Sequence, residues 1–176
     1  MPHSSISQKD IDRTLVYTDG ACRGNPGPGG WAWAIPGDRG RSGYASRTTN
    51  QRMEIQAALS AIQSIPGPLL VVSDSTYVVN CVKNRWYAGW LRKDWRSTAG
   101  TPVANRDLWK PFVELITADP QRYTFQWVKG HSDNPFNDLV DTLATEACLA
   151  QRAWEGDLTS ILSRPAPPGR SWPGLT

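Results

Sequence analysis

The sequence predicts an α/β layered domain built on a mixed sheet. Three observations carry this. Short alternating segments near the start are separated by turn residues, which reads as an antiparallel meander. The run Leu69-Leu70-Val71-Val72 is continuously apolar, the mark of a strand buried on both faces in a parallel pairing. Segments of helical period then alternate with strands, and such crossovers place helices on both sides of a sheet. The length, 176 residues, suits one domain with its own core.

Taken in order, residues 1–12 read as a loose tail. Leu15-Val16-Tyr17-Thr18 is a short strand expected to end at Asp19-Gly20. Residues 24–30, GNPGPGG, have turn chemistry, and residues 31–35 alternate as a second strand. A turn at 37–40 leads to a third strand around 44–47. Thr49-Asn50 can cap a helix whose Ile55, Ala58, Leu59 and Ile62 recur at helical spacing, and Pro66-Gly67-Pro68 stops it. The apolar run then closes at Ser73-Asp74, and a helix over 76–84 enters a basic, tryptophan-rich segment. Asp107 is expected to cap a helix to about 117, residues 123–128 form the last strand, and a loop over 129–136 precedes a helix over 137–154. The resulting order is β-β-β-α-β-α-α-β-α. Residues 13–156 are thus expected to form the domain, with a protrusion at about 83–106. Residues 157–176, with Pro165, Pro167, Pro168 and Pro173, are expected to be a disordered tail.

Composition excludes several classes. No apolar run is long enough to span a bilayer, and the polar first residues contain no apolar h-region, so a cytoplasmic protein without membrane contact is expected. Cys22, Cys81 and Cys148 stand far apart, which argues against a disulfide framework and a structural zinc site. The net charge of +3 is modest, but its distribution is not. Between Lys83 and Lys110 seven cations face two anions, so that segment carries +5 and the remainder is slightly acidic. A basic patch beside an acidic remainder suggests a polyanion held on one face; a solvated helix face is the plainer alternative.

Four carboxylates stand out by position. Asp19 and Asp74 close two strands expected to be neighbours, and ligand sites in open α/β sheets form at such strand ends. Glu54 and Asp141 lie near the starts of two helices. Any one of them alone is more often a cap or a surface charge. Convergence of all four would need a hard divalent cation to offset their repulsion, and oxygen ligands suit Mg²⁺ or Mn²⁺. GNPGPGG is not a nucleotide P-loop, because no Lys-Ser/Thr follows it.

The segments YTDGACRGNPGPGGWAW, TTNQRMEIQAAL, VVSDSTYV and WVKGHSDNPFNDLVDTLA, in that order, resemble the successive signature segments of type 1 ribonucleases H. The resemblance runs from about residue 14 to 153. It implies a five-stranded mixed sheet with flanking helices and an endonuclease that hydrolyses the RNA strand of RNA–DNA hybrids, with the protein acting as a monomer. It makes Asp19, Glu54, Asp74 and Asp141 the ligands of two Mg²⁺ ions, with Mn²⁺ able to substitute. One ion would activate water and the other would stabilise the departing 3′ oxygen, leaving 5′-phosphate and 3′-hydroxyl ends. His131 matches the family's mobile-loop histidine, which assists proton movement and product release. Asp133 stands where the family often has glycine.

The same resemblance sets Cys22, Asn25, Asn50 and Gln51 along the RNA strand. There, backbone groups and short polar side chains read the 2′-hydroxyl. Arg47, Thr49 and Asn105 match a pocket for a phosphate of the DNA strand. The basic protrusion, with Trp86, Trp90, Arg92 and Lys93, corresponds to the family's handle. Packing within the protrusion is the plainer reading of its tryptophans, since Trp86 and Trp90 are one helical turn apart. Two rival functions remain at this point. A non-catalytic nucleic-acid-binding module would require loss of a metal ligand, yet all four are present. An integrase or junction resolvase would share scattered carboxylates but not RMEIQAAL or VKGH.

Overall fold

The computed structural model describes residues 12–130 and 133–158. Strands β1 (Thr14–Cys22), β2 (Gly27–Ala34) and β3 (Arg39–Thr48) form the antiparallel meander. Helix α1 (Asn50–Ser64) crosses over to β4 (Leu69–Ser73), which pairs parallel with β1. Helices α2 (Thr76–Lys83), α3 (Trp86–Arg92) and α4 (Arg106–Ala118) lead through a 3₁₀ turn (Pro120–Arg122) to β5 (Tyr123–Trp127), parallel to β4. Helix α5 (Pro135–Ala150) follows, and β6 (Trp154–Asp157) pairs antiparallel with β3. The sheet order is β5-β4-β1-β2-β3-β6.

The sheet separates two apolar layers. On one face Val16, Trp33 and Val71 pack with Ile55 and Ile62 of α1 and Trp109 and Phe112 of α4. On the other, Tyr17, Ala32 and Val72 pack with Leu139, Val140 and Leu143 of α5. Covered faces explain why β1 is buried from Val16 to Gly20 without alternation.

Several expectations are corrected. The mixed α/β sheet has six strands, not five. The segment near Trp154, read as the end of the last helix, is strand β6. Helix α5 stops because Gln151 takes a left-handed conformation (φ 47°), and its Nε2 donates to Cys148 O at 2.9 Å and Gly29 O at 3.2 Å. That cap is usually glycine, so the sequence offered no stop signal. The folded unit also continues past residue 156: Asp157 pairs with Arg39, and Leu158, 2% exposed, donates its N–H to Asp38 O at 3.0 Å. Residues 159–176 and 1–11 lie outside the described residues.

The glycine-rich turn is shorter than expected because β2 begins at Gly27. Gly30 is a packing device: a Cβ there would collide with Ala144 O and Cys148 N, so glycine lets α5 lie directly on the strand. Asp107 is not the cap of α4. Asn105 holds that position with φ 61° and no side-chain cap bond, and Asp107 lies inside the first turn. Thr49 caps α1 as expected, its Oγ1 accepting from Arg52 N at 3.2 Å.

The burial of Leu158 gives a direct stability test. Leu158→Ala should cost about 2 kcal/mol or more in urea unfolding. Leu149→Ala, at a side chain 62% exposed, should stay within about 0.5 kcal/mol. Equal effects of the two would mean that the chain beyond β6 does not belong to the core.

Candidate active site

Register builds the site. In the parallel β1–β4 pair, Thr18 stands opposite Ser73, where β4 ends. Asp19 and Asp74 are the next residues along each chain, so the pairing brings them side by side. Asp19, expected to close its strand, lies inside it, because β1 continues to Cys22 against β2. Glu54 comes from the second turn of α1. Its approach depends on Gly20, where a Cβ would lie 2.5 Å from Glu54 N. Oxygens of Asp19, Glu54 and Asp74 lie within 4.8 Å of one another.

Asp141, in the second turn of α5, lines the same cleft, about 420 Å³ in volume, and adds to the repulsion felt by Asp19. The structure thus brings three of the four expected acids into one tight cluster and sets the fourth on the cleft wall. Asn50 and Gln51 line the cleft as well. His131 lies outside the described residues. Its neighbour Gly130 passes close to Asp74, and a Cβ there would stand 3.0 Å from Asp74 Oδ2.

Burial makes this cluster electrostatically costly. Desolvation first, and then repulsion from Asp74, push the Asp19 carboxyl up to about 8. Desolvation and the neighbouring Asp19 likewise hold Glu54 well above the ordinary carboxylate range. Burial and mutual repulsion thus raise both carboxyls of this pair. Glu54 Oε2 is buried with no hydrogen-bond partner among the described residues. A divalent cation fits this donor set: it would neutralise the crowded charges and take up the orphaned oxygen.

Sequence reasoning missed two residues that hold Asp74 and a third that lines the cleft. Asn137 is 2% exposed, donates weakly to Asp74 Oδ2 at 3.5 Å and leaves its own Oδ1 unpartnered among the described residues. It stands one helical turn before Asp141, a spacing that could have flagged it. Trp127 donates its indole N–H to Asp74 O at 3.0 Å, holding the turn after β4. Tyr77, also on the cleft, accepts from Trp109 Nε1 at 2.9 Å.

The expected substrate-side residues gather around the start of α1. Asn25 Oδ1 accepts from Asn50 N at 3.0 Å, a second cap beside that of Thr49. Cys22 Sγ lies 3.4 Å from Thr48 O and 3.7 Å from Gly27 O, which ties the β1–β2 turn to the end of β3. Arg47 is exposed two residues before Thr49. Asn105 approaches from α4 and bonds Arg52 and Tyr77.

The protrusion sorts its residues by burial. Arg92 and Lys93 are exposed, and Trp86 is 36% exposed. Trp90 instead packs inward, its ring 5.6 Å from that of Trp95 and 5.7 Å from that of Trp109. Its side chain therefore serves the protrusion's own core.

A model of the RNase H family matches residues 12–149. The chain belongs to the RNase H family. It is 48% identical over 140 residues to the ribonuclease H of Chlorobium luteolum, covering 77% of this chain and 94% of that one. Among solved structures it is similar to LC9-RNase H1, a type 1 RNase H with the type 2 active-site motif, with 26% identity and a TM-score of 0.70. That match covers 88% of this chain and 83% of the other. It also shares its fold with LC11-RNase H1, whose structure is a complex with an RNA/DNA hybrid (20% identity, TM-score 0.59, covering 78% and 97%). Family membership and the acidic site make this protein an endoribonuclease of the RNase H type, a phosphodiester hydrolase. No helix among the described residues is long and apolar enough to cross a membrane.

The raised carboxyl has a consequence for stability. Asp19 titrates near 8 in the folded protein against an ordinary 3.8, so the folded state binds this proton more tightly than the unfolded chain. Without metal, the stability linked to it is complete below about pH 4 and is lost as the pH rises through 8. Asp19→Asn cannot ionise, and in EDTA at pH 8 it should exceed the parent by at least about 1 kcal/mol, one pKa unit's worth. Near pH 4 the two should be alike. Parallel urea-unfolding curves at both pH values would mean that the cluster carries no net repulsion.

Proposed function

We propose that this protein cleaves the RNA strand of RNA–DNA hybrids endonucleolytically, as a cytoplasmic monomer, leaving 5′-phosphate and 3′-hydroxyl ends. The observation that carries the reading is the convergence of Asp19, Glu54 and Asp74, with a buried oxygen of Glu54 lacking any partner among the described residues. Asp19, Glu54, Asp74 and Asp141 would hold two Mg²⁺ ions, for which Mn²⁺ can substitute. When bound, such ions supply Lewis acidity for an attacking water and for the charge on the leaving 3′ oxygen. The protein's own groups position the ligands: Gly20 N donates to Asp19 Oδ1 at 2.9 Å, and Asn137 and Trp127 hold Asp74 from two sides. His131 is assigned the movement of a proton during turnover and product release.

Around the cleft, the short polar side chains of Asn25, Asn50 and Gln51, with Cys22, suit an RNA backbone whose 2′-hydroxyls are read at close range. Arg47, Thr49 and Asn105 supply charge and donors for a phosphate of the DNA strand. Arg92 and Lys93, with the exposed edge of Trp86, would grip the duplex away from the chemistry. The LC11-RNase H1 complex with an RNA/DNA hybrid supports the substrate class. Labelled hybrid, duplex RNA and duplex DNA, each with and without Mg²⁺, test the proposal. Cleavage confined to the RNA of the hybrid, and only with metal, is expected. Cleavage of duplex DNA would point to an integrase-like or resolvase-like activity instead.

Two variants divide chemistry from grip. Asp19→Asn should abolish cleavage while hybrid binding largely persists, because it removes a metal ligand and leaves the outer surface intact. Near-normal turnover by it in Mg²⁺ would overturn the assignment. Replacing Arg92, Lys93 and Arg96 by Ala should weaken hybrid binding most at low salt. Every cation taken off a phosphate flattens the slope of log K against log [salt] by about 0.9. An unchanged slope, in a titration in Ca²⁺ where binding without cleavage is expected, would remove the protrusion from the interface.

A further inference from the structure

Arg52, in the first turn of α1, reaches across to the start of α4. Its Nη1 and Nη2 donate to Asp107 Oδ1 and Oδ2 at 2.9 and 2.6 Å, a bidentate pair. Nη1 also donates to Asn105 Oδ1 at 3.3 Å. The backbone N–H of Arg52 is the group that Thr49 Oγ1 accepts. One residue therefore engages two of the three groups assigned above to a DNA-strand phosphate.

The orientation of Asn105 matters for that task. A side-chain amide presents an acceptor at one end and two donors at the other, and an anion needs the donors. Asn105 sits at φ 61°, ψ 25° and makes no cap bond to its own helix, so nothing local orients its amide. Arg52 does: a guanidinium has only donors, so the amide oxygen must face it. The NH₂ then faces Tyr77, whose hydroxyl receives it at 3.3 Å and the Trp109 indole at 2.9 Å. One amide hydrogen remains to be offered to an anion. Asp107 cancels the charge of Arg52, so the guanidinium acts as a neutral strut between two helix starts. Its side chain is 32% exposed and that of Asp107 63%. Pairs this exposed contribute little to stability, which leaves geometry as the strut's distinctive effect.

We propose that Arg52, held by Asp107, is a positioning residue for substrate recognition: it sets the amide of Asn105 donor-outward and spaces the starts of α1 and α4 for a DNA-strand phosphate. This rests on the reading of Arg47, Thr49 and Asn105 as that phosphate pocket. Arg52→Lys keeps a cation opposite Asp107 but lacks the planar fork needed to engage Asp107 and Asn105 together. It should raise KM for the hybrid roughly fivefold, the equivalent of one hydrogen bond, with the effect in KM rather than kcat and the melting temperature close to the parent's. In an Asn105→Ala background the same change should do nothing further to KM, whereas a merely structural role would give equal losses in both backgrounds. Asp107→Asn, which loosens the strut without shortening it, should move KM in the same direction and again only when Asn105 is present. It carries the test should Arg52→Lys fold poorly. If Asn105→Ala raises KM while Arg52→Lys and Asp107→Asn do not, the inference fails and the pocket stands. If Asn105→Ala and Arg47→Ala both leave KM unchanged, the pocket reading fails and takes the inference with it.

Discussion

Where β4 stops beside β1, with Thr18 opposite Ser73, two aspartates are left adjacent at the middle of the sheet. A parallel pair of this kind needs a crossover, and α1 supplies it, lying across β1 and β2 on its way from β3 to β4. The same helix carries Glu54, so the connection that makes the pairing possible also delivers the third acid. Helix α5, on the opposite face, brings Asp141 to the cleft. Each contribution depends on a helix approaching the sheet more closely than side chains normally permit. Gly20 allows it for α1 and Gly30 for α5, since a Cβ at either would meet helix backbone. The site is thus a by-product of layer spacing as much as of the acids themselves.

That placement opposes stability locally. Asp19 is 4% exposed and Glu54 6%, and both titrate above the usual carboxylate range because burial and mutual repulsion disfavour their charge. Such a cluster persists because the apolar layers on either side, from Ile55 and Ile62 to Leu139 and Leu143, hold its backbone whatever its protonation state. Protonation relieves this repulsion at low pH, and a divalent cation would relieve it where the carboxyls ionise.

Much of this was legible in the residues. Periodicity marked α1, the apolar run marked β4, and Thr49 marked a helix start, because each signal is local. What escaped depended on contacts distant in sequence. Residues 27–30 read as a turn since glycine and proline usually mean one, yet Gly30 is a strand residue made small for α5. The end of α5 was hidden because Gln151, not glycine, adopts the left-handed cap, stabilised by a bond to Gly29. Trp154 then pairs with Ser42 instead of extending the helix. The acids were legible by position. Asn137, Trp127 and Arg52 were not, because their importance lies in which backbone or carboxylate they happen to meet.

The protrusion shows how an appendage can stay basic outside and ordered inside. Helix α3 has no fully buried residue, but Tyr87 and Trp90, one turn apart, pack against the main core. The chain then turns back through two successive left-handed residues, Asp94 and Trp95, which lays Trp95 against Trp90. Trp90 stacks on Trp109, and Trp109 meets Phe112 edge-on within the main core. A continuous aromatic pillar therefore runs from the protrusion to the domain interior, and Tyr77 joins it to the cleft by packing on Trp109. Because the indoles do the anchoring, Arg92, Lys93 and Arg96 are left on the surface. Exposed cations contribute little to folding and remain available for a polyanion. Arg52 differs from these cations, because Asp107 pairs with its guanidinium in a bidentate bridge. Charge is thus left open on the handle, while beside the start of α1 Arg52 is paired with Asp107 and Arg47 stays exposed.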